Sequence, residues 1–468
     1  MPAHPAGPRY GDVTEALSPP LPPADLNKLV PTVWPESAIR SDAGAIRLGG
    51  MDVRDIVAEC GTPAILYDEN HVRTSAQEYA QAYGNQGVEC DVYYAAKAFL
   101  STRLAQWIVQ EGCRIDVCTG GELEIALRAG VDPAQLLFHG NNKSEAEIGR
   151  ALDVGVGRFV VDSFTEIARL GSLAADRDVV ANVLVRVTVG VEAHTHEFIA
   201  TAHEDQKFGL GLSDGQAAEA ADRVHQLSSL NLLGLHSHIG SQIFDPAGFE
   251  IAAHRLVELA AELSAAGISI GELNLGGGMG IAYRAGDDPL NAAQMATQIV
   301  ATVRAECEAS GLVMPRLAVE PGRAIVGSAG ITLYTVGTIK PVELDGGVIR
   351  TYVAVDGGMS DNIRPALYDA EYTAVLANRA SNAEPILCRL VGKHCESGDI
   401  VVRDTWLPGD IATGDLVAVA ATGAYCRSMA SNYNAVPRPP VMGVQEGRLS
   451  TLLRRETLDD MFALDAGA

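Results

Sequence analysis

The sequence predicts a (β/α)8 TIM-like barrel joined to a second, antiparallel β-domain that both chain ends form. Eight short apolar runs recur along the chain, and helical patterns alternate with them between about residues 71 and 329. Nearly every run ends in residues suited to chemistry, such as Lys97 after residues 92–96. Because the loops after the strands build the site in such barrels, these ends predict one functional face.

Each barrel strand is predicted from an apolar run, and helices such as 102–111 and 122–129 lie between the runs. Gly130 follows the second of these helices as a C-cap. In chain order the eight runs lead to Lys97, Cys118, His139, Asp162, Arg186, His236, Gly276 and Glu320.

The β-domain is predicted from a change of pattern after about residue 330. Four β-rich runs, separated by Gly, Asp and Pro turns, cover 332–342, 348–355, 386–391 and 416–421. A short strand at 64–67 is expected to pair with them. The predicted division is therefore a disordered, Pro/Ala-rich tail over 1–45, a β-domain from 46–70 and 330–468, and a barrel over 71–329.

Composition and charge exclude several partners. The chain has 468 residues, of which 47% are hydrophobic and 20% charged, and its length predicts two domains. With 35 Lys+Arg against 59 Asp+Glu the formal net charge is -24. We therefore expect no nucleic acid and no anionic membrane as a partner, because both would be repelled. An anionic ligand must be held by local arginines and backbone N–H groups.

The cysteines predict a reducing compartment. Eight are scattered along the chain, with no CxxC pair and no Cys/His spacing typical of zinc. We therefore expect no metal site and a cytoplasmic protein with buried thiols. No signal-peptide core or membrane-length apolar run is visible.

Lys97 and the glycine triplet 276–278 are the first functional candidates. A lysine with apolar neighbours has its charged form disfavoured, and the neutral amine can form a Schiff base with an aldehyde. The common alternative is that Lys97 is an ordinary solvated lysine without a function. Glycines after the seventh strand suit a phosphate, because such barrels bind phosphate at the loops after strands seven and eight. A plain turn is the alternative, and Ser241 could add a hydroxyl donor.

Glu320 and the histidines have two interpretations each. Glu320 can form a salt bridge, or it can face a heterocyclic nitrogen and keep that nitrogen protonated. His236 can stack on such a ring, although burial in the core is commoner for a lone histidine. His139 and His238 are closer to that second interpretation.

The β-half carries a further set of candidates. In residues 393–399 the thiol of Cys395 and the carboxylate of Glu396 suit proton donation and amine recognition, unless the segment is a plain surface loop. Residues 356–361 lead to Arg364 and Tyr368, and Tyr425 follows later. Taken singly these residues are ambiguous.

Taken together the motifs resemble the diaminopimelate decarboxylase family, pyridoxal-phosphate enzymes of the alanine-racemase-like barrel class, over nearly the whole chain after the tail. The motifs are YAAKAF at 94–99, CTGGE at 118–122, HGNNK at 139–143, EAHTHEF at 192–198, DQKFG at 205–209, HSHIGSQ at 236–242, GGG at 276–278, EPGR at 320–323, DGGMSDNIRPALY at 356–368 and HCESGDI at 394–400.

The resemblance implies a role for each candidate. Lys97 would bind pyridoxal 5'-phosphate covalently, His236 would stack on its ring and Glu320 would pair with the ring nitrogen. The remaining implied cofactor contacts are Ser241, Gly277, Gly278, Gly322, Arg323 and Tyr425. The implied substrate contacts are Arg323, Arg364, Tyr368, Glu396 and Tyr425. Cys395 would donate the proton, and Cys395 and Glu396 would come from the second subunit of a homodimer.

The implied reaction is decarboxylation of meso-diaminopimelate to L-lysine and CO2. Two arginines favour a substrate with a distal carboxylate, since ornithine would leave them unpaired. The alternatives are an ornithine/arginine-type decarboxylase, a racemase of the same barrel class, or a non-catalytic binding relative. A racemase needs a second base opposite the lysine, whereas the 394–399 loop favours decarboxylation. A binding protein would not need Lys97, Glu320 and Cys395 together.

Overall fold

The computed structural model describes residues 21–190, 207–344 and 347–467. Contacts divide the chain into two compact units, which we call the β-unit and the barrel unit. The β-unit comprises the described residues up to Val72, Ala282–Asp287 and those from Val326 onwards. The barrel unit comprises Arg73–Ile281 and Asp288–Ile325, whereas the sequence placed the barrel over 71–329. The EAHTHEF motif at 192–198 and residues 205–206 lie outside the described residues.

The β-unit begins with a small antiparallel sheet, a helix and a buried strand. Its first elements are β1 (Ile39–Arg40), β2 (Ile46–Leu48), β3 (Met51–Asp52), α1 (Val53–Cys60) and β4 (Ala64–Asp68), and α2 (Glu69–Gly84) leads into the barrel unit. The Asp52 side chain caps α1 by accepting the Arg54 N–H, which satisfies a donor left open at the helix start.

The predicted disordered tail is wrong for residues 21–45. Val33 and Trp34 are buried, and they pack in one apolar cluster with Leu66 on β4. Burying an aromatic side chain offsets the entropy of ordering a short proline-containing segment. The Pro/Ala-rich composition hid these few apolar anchors. Residues 1–20 of the predicted tail lie outside the described residues.

The barrel unit contains a closed ring of eight parallel strands among its described residues. The strands are β5 (Cys90–Ala95), β6 (Arg114–Val117), β7 (Leu136–Phe138), β8 (Arg158–Val161), β9 (Ala181–Thr188), β11 (Leu230–His236), β12 (Glu272–Asn274) and β13 (Arg316–Val319), with the short β10 (Leu210–Gly211) beside β9. Pairing of β13 with β5 and of β8 with β9 closes the ring.

Helices follow the barrel strands. They are α3 (Thr102–Gln110), α4 (Gly120–Arg128), α5 (Glu145–Val154), α6 (Phe164–Ala175), α7 (Gln216–Gln226), α8 (Ala247–Ala265), α9 (Ala292–Ser310) and α10 (Arg323–Val326). Several start within a few residues of a strand because a hydroxyl caps them: the side chains of Ser101, Thr119 and Ser163 each accept an N–H of the first helical turn. No helix of the described residues is long and apolar enough to cross a membrane.

The barrel interior is apolar in the middle and charged at its N-terminal end. Tyr93, Leu137, Val160, Leu184 and Ala318 come from different strands and form one buried cluster. At the strand starts the Asp91 carboxylate meets three guanidinium groups. These belong to Arg114 at 3.0 Å, Arg158 at 3.4 Å and Arg316 at 3.3 Å. This end is closed by ion pairs, so the opposite end is the one left for a site.

The rest of the β-unit is a mostly antiparallel sheet that confirms the predicted second domain. Its elements are β14 (Gly330–Glu343), β15 (Ile349–Val355), α11 (Arg364–Tyr368), β16 (Ala374–Leu376), β17 (Pro385–Val391), β18 (Ile400–Pro408), β19 (Leu416–Ala420), β20 (Val441–Gln445), β21 (Arg448–Leu453) and α12 (Leu458–Phe462). Strand β4 pairs with β14 and with β20, so both chain ends form this sheet. The predicted fold class, a (β/α)8 barrel with a β-domain from both ends, is confirmed.

We predict that Asp91→Ala destabilises the protein by about 2–3 kcal/mol, because it leaves three arginines facing one another without their shared anion. Glu124→Ala is the matched control, since its partner Arg150 and Glu124 itself are both about half exposed (49% and 50%). That pair should contribute less than about 1 kcal/mol. Urea unfolding of the three proteins measures the difference, and equal midpoints for the two variants would contradict it.

Candidate active site

Lys97 lies at the C-terminal face of the barrel, in a short 3₁₀ turn, Ala96–Ala98, directly after β5. Ala96 and Ala98 are buried, whereas Lys97 is exposed. Its positive charge favours the ionised form of Asp116 and opposes protonation of His238, so both groups lie in its electrostatic surroundings. The lysine is therefore presented among titratable groups by a strand end, as the sequence predicted.

Three side chains from three other strand ends converge on one oxygen of Glu320. The Oε1 atom lies 2.8 Å from His139 Nε2, 2.9 Å from Asn274 Nδ2 and 3.2 Å from His236 Nε2. Glu320 is 6% exposed, and a buried carboxylate needs such partners. The contacts recorded among the described residues all reach Oε1, so Oε2 is left for a further partner.

These groups shift one another's pKa values. Burial lowers the pKa of His236 to about 4, although the negative charge of Glu320 acts to raise it. Burial also lowers the pKa of His139. Burial alone would raise the pKa of Glu320, but the two histidines outweigh it and hold that pKa well below its usual range. At neutral pH His236 is uncharged and Glu320 is ionised.

The glycine loop after β12 runs too close to neighbouring backbone for any side chain. A Cβ on Gly277 would lie 2.2 Å from the Glu320 carbonyl oxygen, and a Cβ on Gly278 would lie 2.5 Å from the Gly240 carbonyl oxygen. Gly278 also has φ +116°, which side chains rarely permit. Glycine is therefore required here by both space and backbone conformation.

The N–H groups of this loop are not equivalent. The Gly277 N–H donates to His238 Nδ1 at 3.2 Å, so that histidine supports the loop and carries its own proton on Nε2. Among the residues that the structure describes, the Gly278 N–H has no recorded partner. Gly278 is therefore the better candidate for an anion, and Gly277 acts through its small size.

Arg323 and Ser241 are joined on the same face. Arg323 begins α10, is 6% exposed, and donates from Nη2 to Ser241 Oγ at 2.9 Å. The hydroxyl proton of Ser241 remains a donor. Gly322 packs against the lysine turn, since a Cβ there would lie 2.8 Å from Ala95 Cβ. The predicted residues Lys97, His236, Ser241, Gly277, Gly278, Glu320, Gly322 and Arg323 all belong to the barrel unit.

The other predicted residues belong to the β-unit, where Arg364 is the best anchored. It is 6% exposed, and its Nη1 donates to Tyr283 Oη at 3.0 Å and to Tyr372 Oη. Its guanidinium also lies 5.1 Å from the centroid of the Tyr283 ring. Burial opposes the charge, but the two tyrosines raise the pKa of Arg364 above its ordinary value. The arginine is a rigid, permanent cation.

Cys395 and Glu396 lie in the loop between β17 and β18, and both are exposed. Tyr368 ends α11. Tyr425 follows β19 with φ +64°, an uncommon backbone conformation for a tyrosine. The predicted residues therefore form two sets, one on each unit.

Sequence reasoning missed several residues of the face. His139 was assigned to the core, and it is buried, yet its partner is Glu320. Asn274 and Asp116 were not weighed, although Asn274 orients Glu320 and burial raises the pKa of Asp116 well above its ordinary value. Arg186, on β9, is buried with its guanidinium 4.5 Å from the Phe208 ring centroid. All four lie at or near strand ends, a signal that was visible in the sequence for His139 and Arg186 and that could also have found Asn274 and Asp116.

Distance alone would allow a metal ion at His139, His236 and Glu320, since one ligand atom of each lies within 4.8 Å of the others. In this arrangement His139 Nε2 and Asn274 Nδ2 bond to the carboxylate oxygen itself. Metal ligands would instead direct their lone pairs at a common centre. The geometry fits an organic group better.

The residues present fit pyridoxal phosphate. Ser237 Oγ and His236 Nδ1 are buried and have no hydrogen-bond partner among the described residues, so the face holds polar atoms that await a ligand. The ionised Glu320 offers Oε2 to a ring nitrogen, and the Gly278 N–H, which has no partner among the described residues, offers a donor to a phosphate. An amine, a carboxylate and backbone donors are the functional groups that an aromatic phosphate aldehyde requires.

Comparison with known proteins defines the class first. The family model for pyridoxal-dependent decarboxylases, which describes their pyridoxal binding domain, matches residues 69–327, more than half of the chain. The fold and the face therefore belong to a decarboxylase that uses pyridoxal phosphate.

Whole-length relatives narrow the class. The chain is 52% identical over 449 residues to diaminopimelate decarboxylase of Mycobacterium tuberculosis (strain ATCC 25618 / H37Rv). This alignment covers 94% of this chain and 99% of the relative. The chain is 51% identical over 475 residues to diaminopimelate decarboxylase of Mycobacterium leprae (strain TN), covering 99% and 100%. A crystal structure of diaminopimelate decarboxylase from M. jannaschii with L-lysine matches with a TM-score of 0.85 at 31% identity, covering 92% and 98%. The chain belongs to the diaminopimelate decarboxylase family.

We predict that His236 stays uncharged down to about pH 4, whereas the exposed His254 is protonated well above that pH. Burial lowers the pKa of His236 to about 4, and the Glu306 carboxylate raises the pKa of His254. Because the unfolded chain binds a proton at His236 near pH 6.5, this histidine's contribution to stability is complete above that pH and is lost as the pH falls towards 4. NMR of ¹⁵N-histidine-labelled protein, with His236→Gln for assignment, measures both titrations. A His236 signal that titrates near pH 6.5 would contradict the prediction.

Proposed function

We propose that this chain removes CO2 from meso-2,6-diaminopimelate to give L-lysine, with pyridoxal phosphate held at the C-terminal face of the barrel. The observation that carries the proposal is the ionised Glu320, which three strand ends orient on the face that also presents Lys97. A cytoplasmic location is proposed with it, supported by free cysteines such as the exposed Cys118 and Cys395.

The residues assigned to the cofactor follow from their chemistry. The Lys97 amine would hold it covalently, and the flat, uncharged ring of His236 would cover its ring. Its phosphate would be bound by the Gly278 N–H and by the Ser241 and Arg323 pair, with Tyr425 as a further contact. Gly277 and Gly322 would let the chain approach closely. The net negative charge of the chain makes such local donors necessary.

When bound, the cofactor supplies an electron sink for the pair released by the breaking bond between Cα and the carboxylate. Glu320 contributes by keeping a proton on the ring nitrogen that Oε2 would face, which its depressed pKa permits. The Lys97 amine would hold the cofactor until the substrate amine replaces it, which would set the Lys97 amine free. Cys395 Sγ gives a proton to the carbon that has lost CO2.

Substrate choice is assigned to arginines and one carboxylate. The hydrogen bonds of Arg364 to Tyr283 and Tyr372 both use Nη1, so among the described residues Nη2 and Nε are left to bind a carboxylate in bidentate fashion. Arg323 and Tyr368 are assigned to the same carboxylate, and Glu396 to the distal ammonium. Ornithine lacks that carboxylate, so it would leave buried arginines without their partner.

The homodimer with a shared site is part of the proposal. Cys395 and Glu396 are exposed in the single chain, and a proton donor needs a site that excludes water. In a two-fold dimer, whatever one subunit gives to its partner is returned by symmetry. We therefore assign both residues to the partner subunit's barrel.

We predict that the purified enzyme releases CO2 from meso-diaminopimelate. Release from ornithine or arginine should be at least about a hundredfold slower, because these substrates lack the distal carboxylate and would leave the buried arginines without their partner. Lys97→Ala should lower turnover by roughly a thousandfold or more and remove the visible absorbance of the bound cofactor. Lys340→Ala, at an exposed position of β14, is the matched control and should leave both unchanged. Faster release from ornithine would replace the proposed substrate, and normal turnover by Lys97→Ala would remove the assigned lysine.

We predict that co-expression of Lys97→Ala with a Cys395→Ala/Glu396→Ala variant recovers up to about a quarter of wild-type activity. Random pairing makes about half of the dimers mixed, and each mixed dimer has one site with every residue intact. Lys97→Ala with Glu320→Gln is the control, since both changes are in the barrel unit and no mixed dimer regains an intact barrel. Absence of recovery in the first mixture would show that each site is built within one chain.

A further inference from the structure

The loop that carries Cys395 is fixed at its base by Asp399. Its carboxylate accepts the N–H of His394 at 2.7 Å and the N–H of Met359 at 2.6 Å. Gly392 leaves room for it, since a Cβ there would lie 2.2 Å from Asp399 Oδ2. These contacts hold both ends of the loop, but none of them reaches Cys395.

Cys395 is held by a residue that follows it by 39 positions. The Cys395 N–H donates to Asn434 Oδ1 at 3.2 Å, and the same oxygen lies 3.2 Å from His394 Nδ1. An amide oxygen only accepts, so His394 must carry its proton on Nδ1. His394 Nε2 then accepts from the Ser360 hydroxyl at 2.8 Å. For a neutral imidazole, these contacts permit one tautomer and one direction for every hydrogen bond.

Asn434 is itself held in an uncommon backbone conformation. Its φ is +52° and that of Ala435 is +55°, so two successive non-glycine residues occupy the left-handed region. The flanking chain is tied down: the Ser431 N–H donates to the Ser360 carbonyl oxygen at 2.9 Å, and the Arg438 N–H donates to Glu456 Oε2 at 2.9 Å. Such a conformation costs energy that the surrounding contacts must offset.

Ser360 joins the two segments. Its carbonyl oxygen binds the turn that carries Asn434, and its hydroxyl binds the histidine next to Cys395. The contacts therefore form a closed circuit from Ser360 through His394 and Asn434 back to Ser360. A circuit of this kind fixes the position of the Cys395 backbone more narrowly than the loop ends could.

We propose that Asn434 is a positioning residue for proton delivery: its amide oxygen fixes the backbone of Cys395 and so directs the thiol at the carbon that has lost CO2. The proposal rests on the proposed function, in which Cys395 is the proton donor. Asn434 acts through Cys395 and is not assigned any contact with substrate or cofactor.

Three substitutions in the holoenzyme distinguish the effect of the Asn434 side-chain amide from the effect of its left-handed backbone conformation. Asn434→Gly keeps the left-handed conformation and removes the amide, so kcat for meso-diaminopimelate should fall about fivefold to tenfold, the effect of losing one hydrogen bond, with KM nearly unchanged. Asn434→Asp keeps the accepting oxygen and should stay within about threefold of wild type. Glu446→Gly, at φ +50° in the turn between β20 and β21, is the matched control for backbone freedom and should change nothing.

Two further readouts report on the thiol itself. The solvent deuterium isotope effect on kcat should rise in Asn434→Gly and in Cys395→Ala, because proton delivery becomes slower than the other steps. It should stay at the wild-type value in Asn434→Asp. Alkylation of Cys395 by iodoacetamide, followed on its peptide by mass spectrometry, should be several-fold faster in Asn434→Gly alone, since the freed loop exposes the thiol more often.

The outcomes distinguish the two levels of the proposal. A loss of kcat with an unchanged isotope effect, or a rise in KM alone, would overturn the positioning role of Asn434. A Cys395→Ala variant with full activity would instead remove the cysteine from the proposed mechanism. If the wild type released no CO2 from meso-diaminopimelate, the proposed function would fail, while the alkylation rates would still decide whether Asn434 holds the thiol.

Discussion

The buried carboxylate of Glu320 is the constraint on which the arrangement of the barrel face depends. A carboxylate with 6% exposure needs polar partners: His139 and Asn274 are hydrogen-bonded to it, and His236 Nε2 lies 3.2 Å from it. These three residues lie at the ends of three different strands, so only a closed barrel with the observed register brings them to one oxygen. The cost of burying the charge therefore links the closure of the barrel to the chemistry of the face.

The two ends of the barrel use charge in opposite ways. At the N-terminal end Asp91 is surrounded by three arginines, and the cluster satisfies itself. At the C-terminal end Glu320 keeps one oxygen open, and polar atoms of Ser237 and His236 have no partner among the described residues. A satisfied cluster stabilises the fold, whereas an incomplete one leaves capacity for a ligand. The difference follows from where each group lies along the strands.

The sequence was sufficient for the fold class and for placing Lys97, Glu320 and the glycine loop at strand ends, because strand periodicity and strand-end position are local patterns. It was insufficient where contacts join distant segments. Trp34 was assigned to a disordered tail, since its proline-containing surroundings hide a partner on β4. His139 was assigned to the core, because one sequence does not reveal that Glu320, 181 residues away, is its partner. Asn434 gave no signal for the same reason.

Backbone strain marks the same regions that the chemistry does. Gln242, next to Ser241, has φ +62°, Tyr425 has φ +64° and Asn434 has φ +52°. Glycine would adopt these conformations at no cost, so a larger residue there indicates that its side chain is needed. For Gln242 the reason is visible, since its amide donates to the Ile281 carbonyl oxygen at 2.6 Å and holds the end of the glycine loop. For Asn434 the corresponding contact is the one with Cys395. Gln242 and Asn434 thus act alike. Each adopts an unfavourable backbone conformation in which its side chain holds a segment that carries candidate active-site groups, on the barrel unit for Gln242 and on the β-unit for Asn434.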